Sequence, residues 1–304
     1  MSERSELDSG TRPVVNCPDG NAAVSRCGPP FSVRHPIFRS ASELESRLNK
    51  IKVCFFSFTE ITDPREHRSY NEWHQLDHMP EQFPIPGIAF GERWVSTPAC
   101  RRARLADDGL LAPIHYVTCY YMTEPVDRTL VDFVDWGAQL RALGRFHLHR
   151  KAHMGGPFLF LKGYAAPRVL ISPEALPYRP KRGVIVHVTD LVDPAAEPEV
   201  NAWLDRVHHP DLVALPGVAG LWTFVSRGEA GSAFEAGNPA GRRISLLYLD
   251  EDPVEVTTQL REKIGEWRAA GRIPDLEGKV KTIFTAPLET VIPWQWDWFD
   301  EDES

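Results

Sequence analysis

The chain has 304 residues, is 42% hydrophobic and 25% charged, and carries a net charge of -8. This is the composition of a globular chain of about two domains; its acidic balance argues against a nucleic-acid partner, and no apolar run reaches the roughly 18 residues needed to span a bilayer. The opening MSERSELDSG lacks the basic and apolar regions of a secretory signal, so the expected setting is cytoplasmic and the expected partner a small molecule, with no nucleic acid and no membrane.

In chain order, residues 1–48 are expected to be a mobile arm, Gly-, Ser- and Pro-rich at first, with a short helix near 41–50 entered through Ser40 or Ser42. A first unit covers 49–170. Residues 53–59 are an apolar run of strand length closed by Asp63-Pro64. A helix over about 66–79 is stopped by Pro80, and Pro86-Gly87 turns the chain into a strand over 88–95. A polar loop at 97–113 leads to a strand near 115–122. A helix over about 127–143 ends at Gly144, and a strand at 158–164 closes the unit.

A second unit over 180–290 runs through the same order. Its strands are expected at 184–189, 218–225, 244–249 and 279–285, and its helices at about 196–209 and 254–270, with a polar loop at 227–242. The tail, 291–304, is aromatic and then acidic, and reads as a strap packing its tryptophans on the body of the protein. Five cysteines, Cys17, Cys27, Cys54, Cys100 and Cys119, are widely spaced with no CxxC and read as reduced thiols.

The two units share more than their order. Laid ungapped from Asp63 and from Asp193, they agree at Asp63/Asp193, Pro64/Pro194, Asn71/Asn201, Trp73/Trp203, His78/His208, Pro80/Pro210, Pro86/Pro216, Gly87/Gly217, Ala89/Ala219, Val95/Val225 and Ser96/Ser226. Further on, Arg141 to Arg145 matches Arg268 to Arg272, and HYVTCYYMTEP ending at Pro125 matches ISLLYLDEDP ending at Pro253. Such self-similarity marks a tandem repeat. The order β-α-β-β-α-β, twice, is the ferredoxin-like α+β plan. One unit has an antiparallel sheet with helices on a single face, so its other face must be buried. Two units in one chain solve this as an intramolecular pseudo-dimeric α+β barrel, present as a monomer or a homodimer.

The signature Asn71-Glu-Trp73, His78-Met-Pro80, Pro86-Gly-Ile88, repeated as Asn201-Ala-Trp203, His208-His-Pro210, Pro216-Gly-Val218, resembles the dimeric α+β-barrel superfamily, EthD-like proteins in particular. The resemblance covers about 53–165 and 184–287. It implies a pocket between the helices and the sheet, and a group of families that includes cofactor-free monooxygenases, polyketide cyclases, haem-associated enzymes and lactone isomerases. It does not choose among their reactions.

The densest polar cluster falls on the first helix of each unit. Asn71, His74 and His78 share one helix face with Trp73 beside them, and Asn201 and His208 are the shared pair of the second unit. An imidazole titrates nearest neutrality and suits proton transfer, although a histidine at a helix end also gains from the helix dipole. His74 and His78, at i and i+4, match a metal-ligand spacing, but two ligands do not make a site, and no metal is expected. His187 stands in an otherwise apolar strand, where a polar side chain is costly unless bonded or used; its counterpart is Ser57. Tyr116 and Tyr120 on the third strand, and Arg93 at the end of the second, could orient a carbonyl, carboxylate or phenolate. His147, His149 and His153 read as a solvated loop.

No P-loop, GxGxxG or GxSxG motif occurs. The expectation is an enzyme of lyase, cyclase or isomerase type, needing no cofactor and using a pocket histidine as general acid/base on a small apolar or aromatic oxygenated substrate. Its catalytic candidates are His78, His187, His208, His74 and Asn71; its substrate-binding candidates are Trp73, Tyr116, Tyr120, Arg93, Asn201 and Ser57. The alternatives are a cofactor-free or haem-dependent monooxygenase, haem being the runner-up cofactor, and a non-catalytic ligand-binding protein.

Overall fold

The computed structural model describes residues 51–228 and 238–300. The expected arm at 1–48, part of the loop at 227–242 and the last acidic residues lie outside them. Among the described residues there are nine strands: β1 (Ile51–Ile61), β2 (Ile88–Val95), β3 (Ala106–Asp107), β4 (Tyr116–Thr123), β5 (Arg150–Ala165), β6 (Gly183–Leu191), β7 (Val218–Val225), β8 (Arg243–Leu249) and β9 (Val280–Thr290). Helix α1 begins as His67–Glu72 and widens into a π-helical stretch, Trp73–His78. A short α2 (Pro98–Arg102) and a long α3 (Val126–Ala142) follow. In the second half, α4 runs as Glu197–Trp203, widens over Leu204–His208 and resumes over His209–Val213, and α5 is Pro253–Ala269.

All strands belong to one antiparallel sheet in the order β2-β4-β1-β5-β7-β8-β6-β9, with β3 added outside β9. The last strand of each half pairs with the second strand of the other. Leu159 faces Val225 across one junction, and Trp94 faces Thr290 across the other. That second junction closes the sheet on itself and removes its free edges. Period-2 alternation then sorts the side chains into layers. Cys54, Phe56 and Phe58 of β1 point inward with Val184, Val186 and Val188 of β6, and join Trp94, Trp222, Phe224 and Phe284 in one fully buried core. The outward residues of each half pack beneath that half's own helices, Val53 and Met122 in the first, Leu221 and Leu249 in the second.

Two equivalent tyrosines meet inside this core. Tyr121 lies opposite Cys54 and Tyr248 opposite Val184, and their hydroxyls are 3.0 Å apart. Tyr121 also donates to Glu92 at 2.9 Å, and Lys181 pairs with that carboxylate. Burial pushes the Glu92 carboxyl up, and the Lys181 charge opposes the shift. The sequence match ending at the two prolines places Tyr120, not Tyr121, beside Tyr248; the strand register moves it by one residue, because Leu249 is one residue further from Pro253 than its register counterpart Met122 is from Pro125.

Three sequence expectations change. Cys54 and Cys119 are not both reduced thiols: they are joined as a disulfide between neighbouring strands, and Cys100 is free and buried. The stretch after 149 is strand, not solvated loop. β5 starts at Arg150 because β1 extends to Ile61 and offers partners for Arg150, Lys151 and Ala152; His153 then lies 2.6 Å from Glu60, and His147 is 3.0 Å from Ser69. Finally, the loop at 97–113 holds α2 and β3, and β3 pairs with β9 of the second half. In the tail, Phe299 stacks on His67 at 3.9 Å, whereas Trp294 remains exposed.

Candidate functional site

The same short motif builds both helix ends. In each half the first helix changes to π-helical hydrogen bonding just where the Asn-x-Trp and His-x-Pro residues lie. Met79 N–H reaches back five residues to His74 C=O at 2.9 Å, and such a widened turn brings residues i and i+5 onto one face, an arrangement found most often at functional sites. Trp73 therefore stacks on His78 with ring centres 4.6 Å apart, and Trp203 stacks on His208 at 4.6 Å. Each indole N–H is anchored to a carbonyl after the second helix of its half, Arg145 at 2.9 Å and Arg272 at 2.8 Å.

Beneath these helices the halves differ. The second half holds a cavity of about 380 Å³ between α4, α5 and the outer face of β6, β8 and β9, within the range of roughly 300–1,000 Å³ typical of ligand sites. Leu105 and Ala106, carried across by the loop of the first half, complete its wall. Strand register arranges the floor in rows. Leu247 and Ile185 are neighbours, then Ser245, His187 and Thr285, then Arg243, Thr189 and Thr282. His187 Nδ1 lies 2.8 Å from Thr285 Oγ1, and the ring's open edge faces the cavity. His208 and His209 enter from α4. Burial holds all three imidazoles neutral at pH 7: His187 is pushed down to about 4, His208 to about 3 with the nearby His187 adding to the effect, and His209 to about 4.

In the first half several of the corresponding positions carry bulkier side chains. Register places Tyr120 where the second half has Leu247, Tyr116 where it has Arg243, and Ser57 where it has His187. The helices contribute Tyr70 for Val200 and His74 for Leu204, and Phe55 packs on Phe133 at 4.8 Å. The polar atoms of this cluster bond mainly to each other. His74 Nδ1 is 2.9 Å from the Tyr70 hydroxyl and its Nε2 is 3.4 Å from that of Tyr120. Asn71 Nδ2 donates to the Tyr116 hydroxyl at 2.8 Å and to His67 C=O at 2.8 Å. Arg93, only 3% exposed, donates to Asn71 Oδ1 at 2.8 Å and lies over the Tyr70 and Tyr116 rings. No carboxylate pairs with it among the described residues. Burial, aided by the Arg93 charge, holds His74 well below its ordinary range, and burial pushes His78 down to about 3.

Of the sequence candidates, the structure gathers His74, Asn71, Tyr116, Tyr120 and Arg93 into this first-half cluster, with Trp73 and His78 stacked at its edge. His187 and His208 line the cavity. Ser57 bonds to Thr59 at 3.2 Å, and Asn201 is half-buried on α4 outside the lining. Ser245, Thr285, His209 and Arg243 were missed. Ser245 and Thr285 needed only the strand register around His187, and His209 stood in the Met79 position. Arg243 gave no signal, because it follows a glycine-rich loop that reads as solvent. Among the described residues no group of three or more His, Cys, Asp or Glu side chains is placed to hold a metal ion.

Comparisons with protein-family models and with curated proteins return no match. Solved structures do match: a protein assigned as a chlorite dismutase (10% identity, 83% of this chain and 99% of the other, TM-score 0.48), an anthrone oxidase-like protein (10%, 81% and 93%, 0.45), and a chlorite dismutase variant from Candidatus Nitrospira defluvii (12%, 85% and 98%, 0.44). At such similarity they say nothing about this chain's reaction. They do correct one expectation. Chlorite dismutases are haem-dependent, which conflicts with the expectation that no cofactor is needed, and that expectation is withdrawn. The cavity's donor chemistry fits haem, since neutral imidazole is the form that ligates iron, and His208 has no hydrogen-bond partner among the described residues. Among the described residues no helix is long and apolar enough to cross a membrane.

Proposed function

We propose that the protein is an enzyme that moves a proton on a small, largely apolar oxygenated substrate held in the second-half cavity. The observation that carries this is the convergence of His187 and His208, from a strand and a helix, on one mostly apolar cavity. Both imidazoles are neutral at pH 7 and can accept a proton. Their depressed basicity makes them weak bases in the free protein. A substrate that becomes an enolate or phenolate as it loses its proton places a negative charge beside the new imidazolium and offsets the cost of burying it. Thr285 fixes the His187 ring, and Ser245 stands one strand over to bond the substrate oxygen.

The two halves are read as copies of one EthD-like unit, diverged after duplication into a pseudo-dimer. The first-half cluster of His74, His78, Asn71, Tyr116, Tyr120 and Arg93 is then the counterpart site, with Trp73, Asn201 and Ser57 as supporting positions. If haem is bound, His208 would hold the iron and Arg243 and Arg268 the propionates, and the group would supply one-electron and oxygen chemistry.

The test is proton exchange in D2O. A panel of enolisable aryl ketones and β-keto esters is incubated with the protein and followed by NMR. The proposal expects α-proton exchange above the buffer rate, reduced at least a hundredfold in both His187→Ala and His208→Ala. Exchange at the buffer rate throughout, or exchange that survives both substitutions, counts against it. Binding without exchange would leave a ligand-binding protein.

A further inference from the structure

The cavity wall is cationic in an acidic chain. Against a net charge of -8, the described residues lining the cavity include Arg243 and Arg268 and no aspartate or glutamate. Arg268 is exposed at the mouth. Arg243 is 91% buried, and its Nε has no hydrogen-bond partner. Its one carboxylate contact is a 3.3 Å bond from Nη2 to Glu197, a half-exposed side chain. Beside it, the buried His209 also leaves Nδ1 unpaired. The nearest carboxylate oxygen, on Asp205, is 3.8 Å away, too far for a hydrogen bond, and Asp205 is already bonded to Tyr164 at 2.5 Å and to Lys162 at 3.1 Å.

A buried guanidinium with unspent donors is costly to keep unless an anion completes it, and its planar fork matches a carboxylate. The floor supplies the polarity for the rest of such a molecule. Arg243 and Leu247 lie four residues apart on β8, which is about 13 Å along a strand, with the Ser245, His187 and Thr285 row between them.

We infer that the cavity selects an amphipathic monocarboxylate, its head on Arg243 and His209 and its apolar body toward Leu247, Ile185 and Leu212. This rests on the reading of the cavity as the substrate site and names the substrate class. It also places the substrate's middle, where an enolisable or phenolic oxygen would sit, against His187.

The full chain is titrated calorimetrically with 2-naphthoate and 2-naphthamide, and with decanoate and decanamide. Each acid is expected to bind at least tenfold more tightly than its amide. Arg243→Met is expected to remove that preference while amide binding stays within twofold, which also shows that the variant is folded. Arg268→Gln is expected to weaken only the acids, two- to threefold. Acid and amide binding equally, or a preference that survives Arg243→Met, overturns the carboxylate assignment and leaves the cavity a substrate site. If none of the four binds, both readings fall. Hemin, followed by its Soret band, separates the two sources of carboxylate. Displacement of naphthoate by equimolar hemin overturns the substrate assignment, because the arginines then serve propionates.

Discussion

The two halves are built on the same strand order, the same π-widened helix and the same tryptophan–histidine stack, yet only the second holds the described cavity. Small differences in side-chain volume decide this. Tyr70, His74, Tyr116 and Tyr120 stand in the first half where Val200, Leu204, Arg243 and Leu247 leave space in the second. A shared backbone fixes where a site can be, and the volume of a few outward residues fixes whether it is open.

The largest effect on stability should come from truncating the bulkier half. Tyr70 is fully buried among aromatic neighbours and bonds His74, so Tyr70→Val should cost about 3–4 kcal/mol in urea unfolding. The equivalent truncation, Val200→Ala, borders existing space and should cost about 1 kcal/mol. Equal costs would break the comparison. Next, Arg93→Met removes charged hydrogen bonds to Asn71 and Gln75 and should cost about 2 kcal/mol, with ligand binding in the second half unchanged.

Acid should loosen both halves. His67, His78 and His115 in the first, and His187, His208 and His209 in the second, have folded values of about 3 to 4 against an unfolded value near 6.5. Between these limits the unfolded chain binds more protons than the folded one. Stability is therefore full above pH 6.5 and falls as pH drops toward 4, each histidine contributing up to about 1.4 kcal/mol per pH unit. Urea midpoints from pH 7.5 to 4.5 should show this, with a shallower slope in His208→Gln/His209→Gln. A flat profile would contradict the burial. The smallest effect should be the most symmetric. Asp63 and Asp193 cap equivalent turns through Arg65 N–H at 3.1 Å and Ala195 N–H at 2.9 Å, and replacing either by Ala should lower the urea midpoint by the same small amount.

Most of the strand order was legible, because alternation, Asp-Pro turns, Pro-Gly turns and C-terminal glycines each have a local cause that recurs in both halves. β5 was shortened in that reading because Arg150, Lys151 and His153 are polar and Gly155, Gly156 and Pro157 interrupt the strand pattern, so these residues owe their pairing to a long partner strand. The loop at 97–113 was read as free because a two-residue strand on a distant edge leaves no local pattern. For the site, His187 stood out as a polar side chain in an apolar strand, and His208 as the helix histidine that recurs in both halves. The position of the cavity did not, since polar density points to the first half while open volume lies in the second. Arg243 was invisible because its role depends on what lies beside it on β6 and β9.

The central claim, an open second half and a bulkier first, is tested most directly by placing the same bulky residue at the register-matched positions Leu247 and Tyr120. Binding of 2-naphthoate, measured calorimetrically to each variant, should fall at least a hundredfold in Leu247→Trp and stay within twofold in Tyr120→Trp. Binding lost in Tyr120→Trp and kept in Leu247→Trp would contradict the account.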